Sequence, residues 1–276
     1  GWRAQGMTKG GAADPMAIYE GAALLGQSPE LAVIEMTGTG GTFVADGDIR
    51  IALTGAGMAA KIDGDVVVWN AGLGRPLAAG DGFVVGDDTG RETGLTLPRD
   101  GRFDGGVVHV VASMQTEHFT PAERLRFTQT QFSRDPRANR VGVRMDHQGG
   151  GFHAEGGLTI LSEVIVPGDI QITGDGAPFV LMGECQTTGG YPRIGTVIPS
   201  DIPRVAQAAA GAPIMFKFLS LAEAITLEIR HRDAIHALRG QVKPLIRDPR
   251  QIRNLLLYQL VGGTVSAWDD PFEKDK

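Results

Sequence analysis

One cysteine, Cys185, stands in the whole 276-residue chain, so no intrachain disulfide can form and packing must hold the fold. That thiol reads either as a small buried hydrophobe or as a nucleophile, and no activating charge neighbours it in sequence. Aromatic residues are scarce at 6%, which predicts a core of Val, Ile, Leu and Ala. No apolar run approaches a membrane span, and no charged-then-apolar leader opens the chain. A basic excess is lacking too, with a net charge of −6 and a pI near 5.5. These absences predict a cytoplasmic protein with neither nucleic acid nor membrane as partner. The opening Gly1, in place of a methionine, leads to the expectation of a natural start upstream.

Several motifs are also missing. No glycine-rich loop enters a helix in the manner of a dinucleotide or Walker-type site, which disfavours a nucleotide-binding parallel sheet. No nucleophile elbow marks a serine hydrolase. The six histidines form none of the usual metal-ligand spacings, so no metal is expected; only His147 and His153, across Gly149-Gly150-Gly151, could meet around a loop.

What is abundant is glycine, 40 residues, with 15 prolines, spread along the chain as turn signals between short apolar runs. Asp14-Pro15 caps a helix through Leu25, stopped by Gly26. Strands are expected at Leu31–Met36, Ile49–Thr54, Val66–Trp69 and Phe83–Val85. The polar, turn-rich Asp87–Gly106 reads as a boundary. Beyond it, strands are expected at Val107–Ser113, Val141–Arg144, Leu158–Ile160, Val164–Val166, Ile170–Ile172, Phe179–Met182, Ile194–Ile198 and Ile214–Phe218. Thr120-Pro121 with Glu123 opens a short helix, as do Asp201 and Pro203. Ser220 and Glu223 make a capping box for a helix closed by Gly240, and Asp248-Pro249 starts a last one before a polar tail. So many short strands point to closed or sandwiched sheets.

The densest polar stretch is Gly183–Gln207. Thr187, Thr188, Gly189, Gly190, Tyr191 and Arg193 sit between two expected strands, so the segment reads as a tight turn with polar groups at its tip. Gly189-Gly190 would serve either a hairpin or the close approach of a ligand to backbone donors. Arg193 offers a planar fork for carboxylate, carbamate or phosphate. Asn139-Arg140 begins a segment in which Arg140 and Arg144 share one strand face, as an anion clamp or as a surface ion-pair ladder. Glu163, Asp169, Asp175 and Glu184 supply acids nearby.

These residues carry a resemblance. Gln186–Ile198 with Asp201 and Arg204–Gln207 is similar to the signature of the allophanate hydrolase subunit 2 family, biotin-dependent carboxyltransferase-like proteins that include a subunit of 5-oxoprolinase. Gly10–Asp14, Asn139–Gly142 and Leu161–Gln171 agree in order. The resemblance implies a mainly β fold of two cyclophilin-like β-barrels: residues 1–104 as a shortened first barrel, 105–265 as a second barrel with the C-terminal helices, and 266–276 as a tail. It implies a hetero-oligomer with a homologous partner of the allophanate hydrolase subunit 1 type, and ATP or carboxybiotin presented by that partner. The activity implied is ATP-dependent cleavage or carboxylation of a small amide; the alternative is regulation, by antagonising a kinase inhibitor. Thr187, Thr188, Gly189, Gly190, Tyr191, Arg193, Asn139 and Arg140 become substrate-binding candidates, Arg193 the best catalytic one. On that reading Arg193→Ala would abolish activity and leave folding intact.

Overall fold

The computed structural model describes residues 10–36, 40–62, 65–69, 72–73, 90, 92–157 and 160–246. Strands form on short apolar runs, and burial alternates along them. In β6 (Gly106–Val111), Val108 and Val110 are buried while Val107 is exposed. The other strands of this half are β7 (Phe132–Arg134), β8 (Gly142–His147), β10 (Asp169–Ile172), β11 (Pro178–Leu181), β13 (Arg193–Val197) and β14 (Ile214–Leu219). They close into a barrel in the order β10-β11-β8-β7-β14-β6-β13. Closure removes every free edge from this sheet. All pairings are antiparallel except β14 with β6, where Ile214 lies opposite Gly106 and Leu219 opposite Val111.

The barrel interior corrects the expected core. Phe119, Phe127, Phe132, Phe152 and Phe216 are all fully buried, and Leu181 is the one leucine among the buried hydrophobics of the described residues. Phe127 stacks on Phe216 with centroids 4.9 Å apart, and Phe152 meets its edge at 5.5 Å. The few aromatics are concentrated rather than absent. Val, Ile and Met fill the space around them.

Helices begin and end where the sequence signals them. Asp14 Oδ1 accepts from Ala17 N at the start of α1 (Pro15–Leu25), and Gly26 ends it at φ 71°. Thr120 caps α2 (Pro121–Gln129), and α3 spans Ile202–Gln207. The Ser220–Glu223 capping box opens α4 (Leu221–Ala237), which packs on β6 and β14.

Residues before the barrel form two antiparallel pairs among the described residues. β1 (Ile34–Glu35) pairs with β4 (Gly72–Leu73), and β2 (Met58–Ile62) with β3 (Asp65–Trp69). Leu95–Thr96 is β5. The expected Ile49–Thr54 strand is not one. Its polar groups turn to the first helix instead: Arg50 Nη2 donates to Leu25 O and Thr54 Oγ1 to Ala17 O. The expected Phe83–Val85 strand, the helix after Asp248 and the tail lie outside the described residues, as do residues 158–159 of the expected Leu158–Ile160 strand. The chain divides into one unit, Gly1–Lys243, and a second, Pro244–Lys276. No helix among the described residues is long and apolar enough to cross a membrane.

Arg144 on β8 reaches Asp175 at 2.8 Å, beyond the far end of β10. Hydrogen bonds from Thr173 and then Arg144 hold the Asp175 carboxyl down at about 2. An unfolded aspartate titrates near ~3.9. The folded value is the lower, so the contribution is complete above about pH 4 and lost as pH falls toward about 2. Asp175→Asn is expected to flatten the acid limb of unfolding in that window. Because the pair is exposed, it should change stability at neutral pH by less than about 1 kcal/mol. Urea unfolding at stepped pH measures both.

Candidate functional site

The stretch after β11 does not form the expected hairpin. β11 and β13 are not neighbours, because β10 lies between and pairs with both. Residues 183–192 therefore arch over β10. On the way, β12 (Thr188–Gly189) pairs antiparallel with β9 (Glu163–Val164). Ile165 N donates to Thr187 O and Ile160 N to Gly190 O, which extends the ribbon at both ends.

This ribbon explains why all four β10 side chains are buried. Ile170 and Ile172 enter the barrel core, so Asp169 and Gln171 face the other way by strand alternation, beneath the ribbon. A Cβ on Gly189 would lie 2.4 Å from Gln171 Nε2, so a side chain there would have to displace that amide from beneath the ribbon. On Gly190 it would lie 3.3 Å from Ile160 O. The glycine pair serves the approach of the chain to itself.

Arg193 lies under the same cover. A bulge in the β10–β13 register sets Gly195 opposite Ile170 and Arg193 opposite Gln171, and Ile194 is fully buried in the core. Arg193 consequently shares the face of Asp169 and Gln171. Its Nη2 donates to Glu163 at 2.6 Å, Nη1 to Asp169 at 3.2 Å and to Val164 O, and Nε to Gln115 Oε1. Gln115 returns its own amide to Glu163 at 2.7 Å. The Arg193 side chain is 9% exposed and that of Asp169 2%. So the Arg193 fork, expected to meet a ligand's carboxylate, carbamate or phosphate, is instead an internal pin joining β13, β10 and β9. What the ribbon does present outward is Thr188 and Tyr191, the latter 42% exposed.

Arg140 is likewise spent on the chain itself. Its guanidinium donates to Glu184 Oε1 at 2.7 Å, to Gly11 O at 2.6 Å and to Glu35. Gly10 N adds a bond to Gly183 O at 3.0 Å. Asn139 folds its side chain back onto Val141 N and Gly142 N as a turn. Arg140 and Arg144 do not converge, since Arg144 bonds Asp175. The four acids thus divide among three arginines. Cys185 is buried beside Ile165 and Leu181, as a small apolar side chain would be. His147 packs its ring on Phe132 and Phe152, while His153 N donates to Glu123.

A second buried cluster has no signature in the sequence beyond Asp14 as a helix cap. Arg102 grips both Glu20 oxygens at 2.7 and 2.8 Å and Asp14 at 2.8 Å; Gln207 Nε2 also reaches Asp14, at 3.0 Å. Burial alone would discourage its charge, but Glu20 and Asp14 outweigh that and raise its pKa further. Through it the Gly10–Asp14 segment and α1 are tied to the barrel half.

The segments joined in this way are also those that carry a family match. The sequence matches the carboxyltransferase domain, subdomain A and B, family over residues 5–73 and 70–218. The chain belongs to this family. Two curated relatives, each a subunit of 5-oxoprolinase, are similar to part of it. The one from Escherichia coli K12 is 34% identical over 121 residues, covering 44% of this chain and 38% of that protein. The one from Haemophilus influenzae is 30% identical over 133 residues, covering 48% and 42%. The crystal structure of TTHA0988 superposes on 77% of this chain and 51% of its own, with a TM-score of 0.56 at 22% identity, a likeness of fold. The chain spans about two fifths of the curated relatives' length in these matches.

Within this carboxyltransferase-domain chain, the Gly10–Asp14, Asn139–Gly142, Leu161–Gln171 and Gln186–Ile198 motifs all act first as architecture. Gln115 lies 78 residues from Arg193, and nothing local marks it as a partner. The ribbon's outer surface is what these motifs leave for recognition.

Proposed function

We propose that this carboxyltransferase-domain chain works as a subunit of an ATP-dependent enzyme complex acting on small amides, of the 5-oxoprolinase type. The observation that carries the reading is the ribbon at Thr188–Tyr191: it is pinned from below by Arg193 and offers a hydroxyl and an aromatic ring outward. The two curated relatives, both subunits of 5-oxoprolinase, support the substrate class. In this reading Thr187, Thr188, Gly189, Gly190 and Tyr191 border the substrate, while Arg193, Asn139 and Arg140 hold the border in place. A homologous chain of the allophanate hydrolase subunit 1 type supplies the facing wall and presents ATP or carboxybiotin. Preorganised donors along such an edge stabilise a developing oxyanion without rearrangement.

Co-expression with the chains encoded beside it, followed by ATP hydrolysis assays with 5-oxoproline, urea and allophanate, tests this. Turnover that needs both chains and one of these amides is expected. Tyr191→Ala should lower kcat/KM by about tenfold or more, since exposed aromatic anchors carry much of a recognition surface. Its melting temperature should stay at the wild-type value, because Tyr191 is exposed. A stable complex that turns over none of the amides would instead support the regulatory reading, antagonism of a kinase inhibitor.

A further inference from the structure

A cavity of ≈ 220 Å³ lies where β6, α3 and α4 meet, and its lining includes Asp100, His109, Asp201, Arg204 and His231. At about 30 Å³ per water this is the space of roughly seven waters, room for a small organic molecule but not for a nucleotide. Met16, Pro203 and Leu227 give it an apolar wall. Its donors are largely spent. Every guanidinium nitrogen of Arg102 is on Asp14 or Glu20. Arg204 Nη1 donates to Gly101 O at 2.8 Å and to Gly105 O, and its Nε is closed to water. Of the arginine donors in the lining only Arg204 Nη2 has no hydrogen bond among the described residues and stays open.

Acceptors, by contrast, are left over. His109 N and Nδ1 both donate to one oxygen of Asp201, Oδ2, at 2.7 and 2.8 Å. With the Nδ1 proton held on that carboxylate, the neutral ring keeps a bare Nε2, which accepts. Asp201 Oδ1 takes no hydrogen bond among the described residues, and neither does Asp100 Oδ2, because Arg102 N uses Oδ1 at 2.7 Å. Asp100, His109 and Asp201 are partly buried, yet none of these three atoms is among the unbonded polar atoms closed to water, so each is open to it. The charge leans the same way. Asp14, Glu20, Asp100 and Asp201 stand against Arg102 and Arg204. Glu228, which accepts from Ser200 N at 2.9 Å, adds a further carboxylate. Open acceptors, surplus negative charge and an apolar wall fit a cation with N–H donors on a short carbon chain. An ammonium has three donors and no acceptor, which matches what is left open.

We propose that this cavity binds a small primary alkylammonium, seated among the open acceptors of His109, Asp201 and Asp100 with its carbon chain on the apolar wall. The site is independent of the amide reading and shares no residue with the ribbon.

Side-chain NMR of His109 and His231 in the full chain tests it at about pH 8, where alkylamines are protonated and ordinary imidazoles are not. Propylammonium chloride is the probe, with tetramethylammonium chloride and sodium propionate as controls at matched ionic strength. Saturable shifts of both histidines are expected with propylammonium and with neither control, since one lacks N–H donors and the other carries the wrong charge. Asp201→Asn keeps an acceptor for His109 but loses the charge, and should raise the propylammonium dissociation constant at least about tenfold. Asp100→Asn still caps Arg102 N, which spares the fold, and should raise it at least about threefold. The proposal is overturned if propylammonium gives no saturable shift, if either control matches it, or if both folded variants bind with wild-type affinity.

Discussion

Arg193→Ala should lower the unfolding free energy by about 3 kcal/mol, the lower end of what breaking a buried ion pair costs. The low end applies because Asp169 keeps two other partners, Thr196 Oγ1 at 2.7 Å and Val166 N at 3.0 Å, once the guanidinium is gone. Glu163 is half exposed and can return to water. Against a typical total of about 5–15 kcal/mol this is a large fraction, so the variant should be visibly destabilised. Urea unfolding should show a lower midpoint at an unchanged slope. The chain's sequence alone leads to the opposite expectation, an inactive but stably folded Arg193→Ala. Burial beneath the ribbon reverses it. Any loss of turnover in this variant should follow from loosening the ribbon and should be shared by Gln115→Ala, which removes the acceptor for both Arg193 N and Arg193 Nε.

The other large effect is expected at Arg102. Arg102→Ala leaves Asp14 and Glu20, with side chains 5% and 13% exposed, without their cation. Two carboxylates stranded together in a poorly solvated place cost more than one, and about 3–5 kcal/mol is expected. Because Arg102 ties α1 to the barrel half, the loss should be local as well as global. Amide hydrogen exchange should accelerate along α1 more than in the barrel strands. Arg102→Lys keeps the charge but cannot grip both Glu20 oxygens, and should recover only part of the loss.

Much of the fold is legible where the controlling residues are neighbours in sequence. Asp14-Pro15, Thr120-Pro121 and Ser220–Glu223 place helix starts because capping is a contact over three or four residues. The short apolar runs Val107–Ser113 and Ile214–Phe218 place β6 and β14 for the same reason. Nothing local says that β14 runs parallel to β6, or that β10 separates β11 from β13, so the arch over β10 reads as a hairpin until the sheet order is known. β7 stays hidden because Phe132-Ser133-Arg134 is too short to show a period.

The site divides in the same way. Its motif residues stand out in the sequence, but their roles depend on partners far along the chain: Glu35 is 105 residues from Arg140, and Asp201 is 92 from His109. An arginine in a polar loop looks alike whether its carboxylate belongs to a ligand or to its own barrel. Only the fold tells them apart, and here Arg193 and Arg140 are both bonded to the chain itself.

A double-mutant cycle between Arg193 and Asp169, using Arg193→Met and Asp169→Asn with urea unfolding of each single and the double variant, measures that division most directly. The internal-pin account predicts a coupling of about 1–3 kcal/mol, because the pair is buried and hydrogen-bonded into one network. Additive losses, within about 0.5 kcal/mol, would show that Arg193 does not hold the ribbon down and would return it to the solvent-facing role.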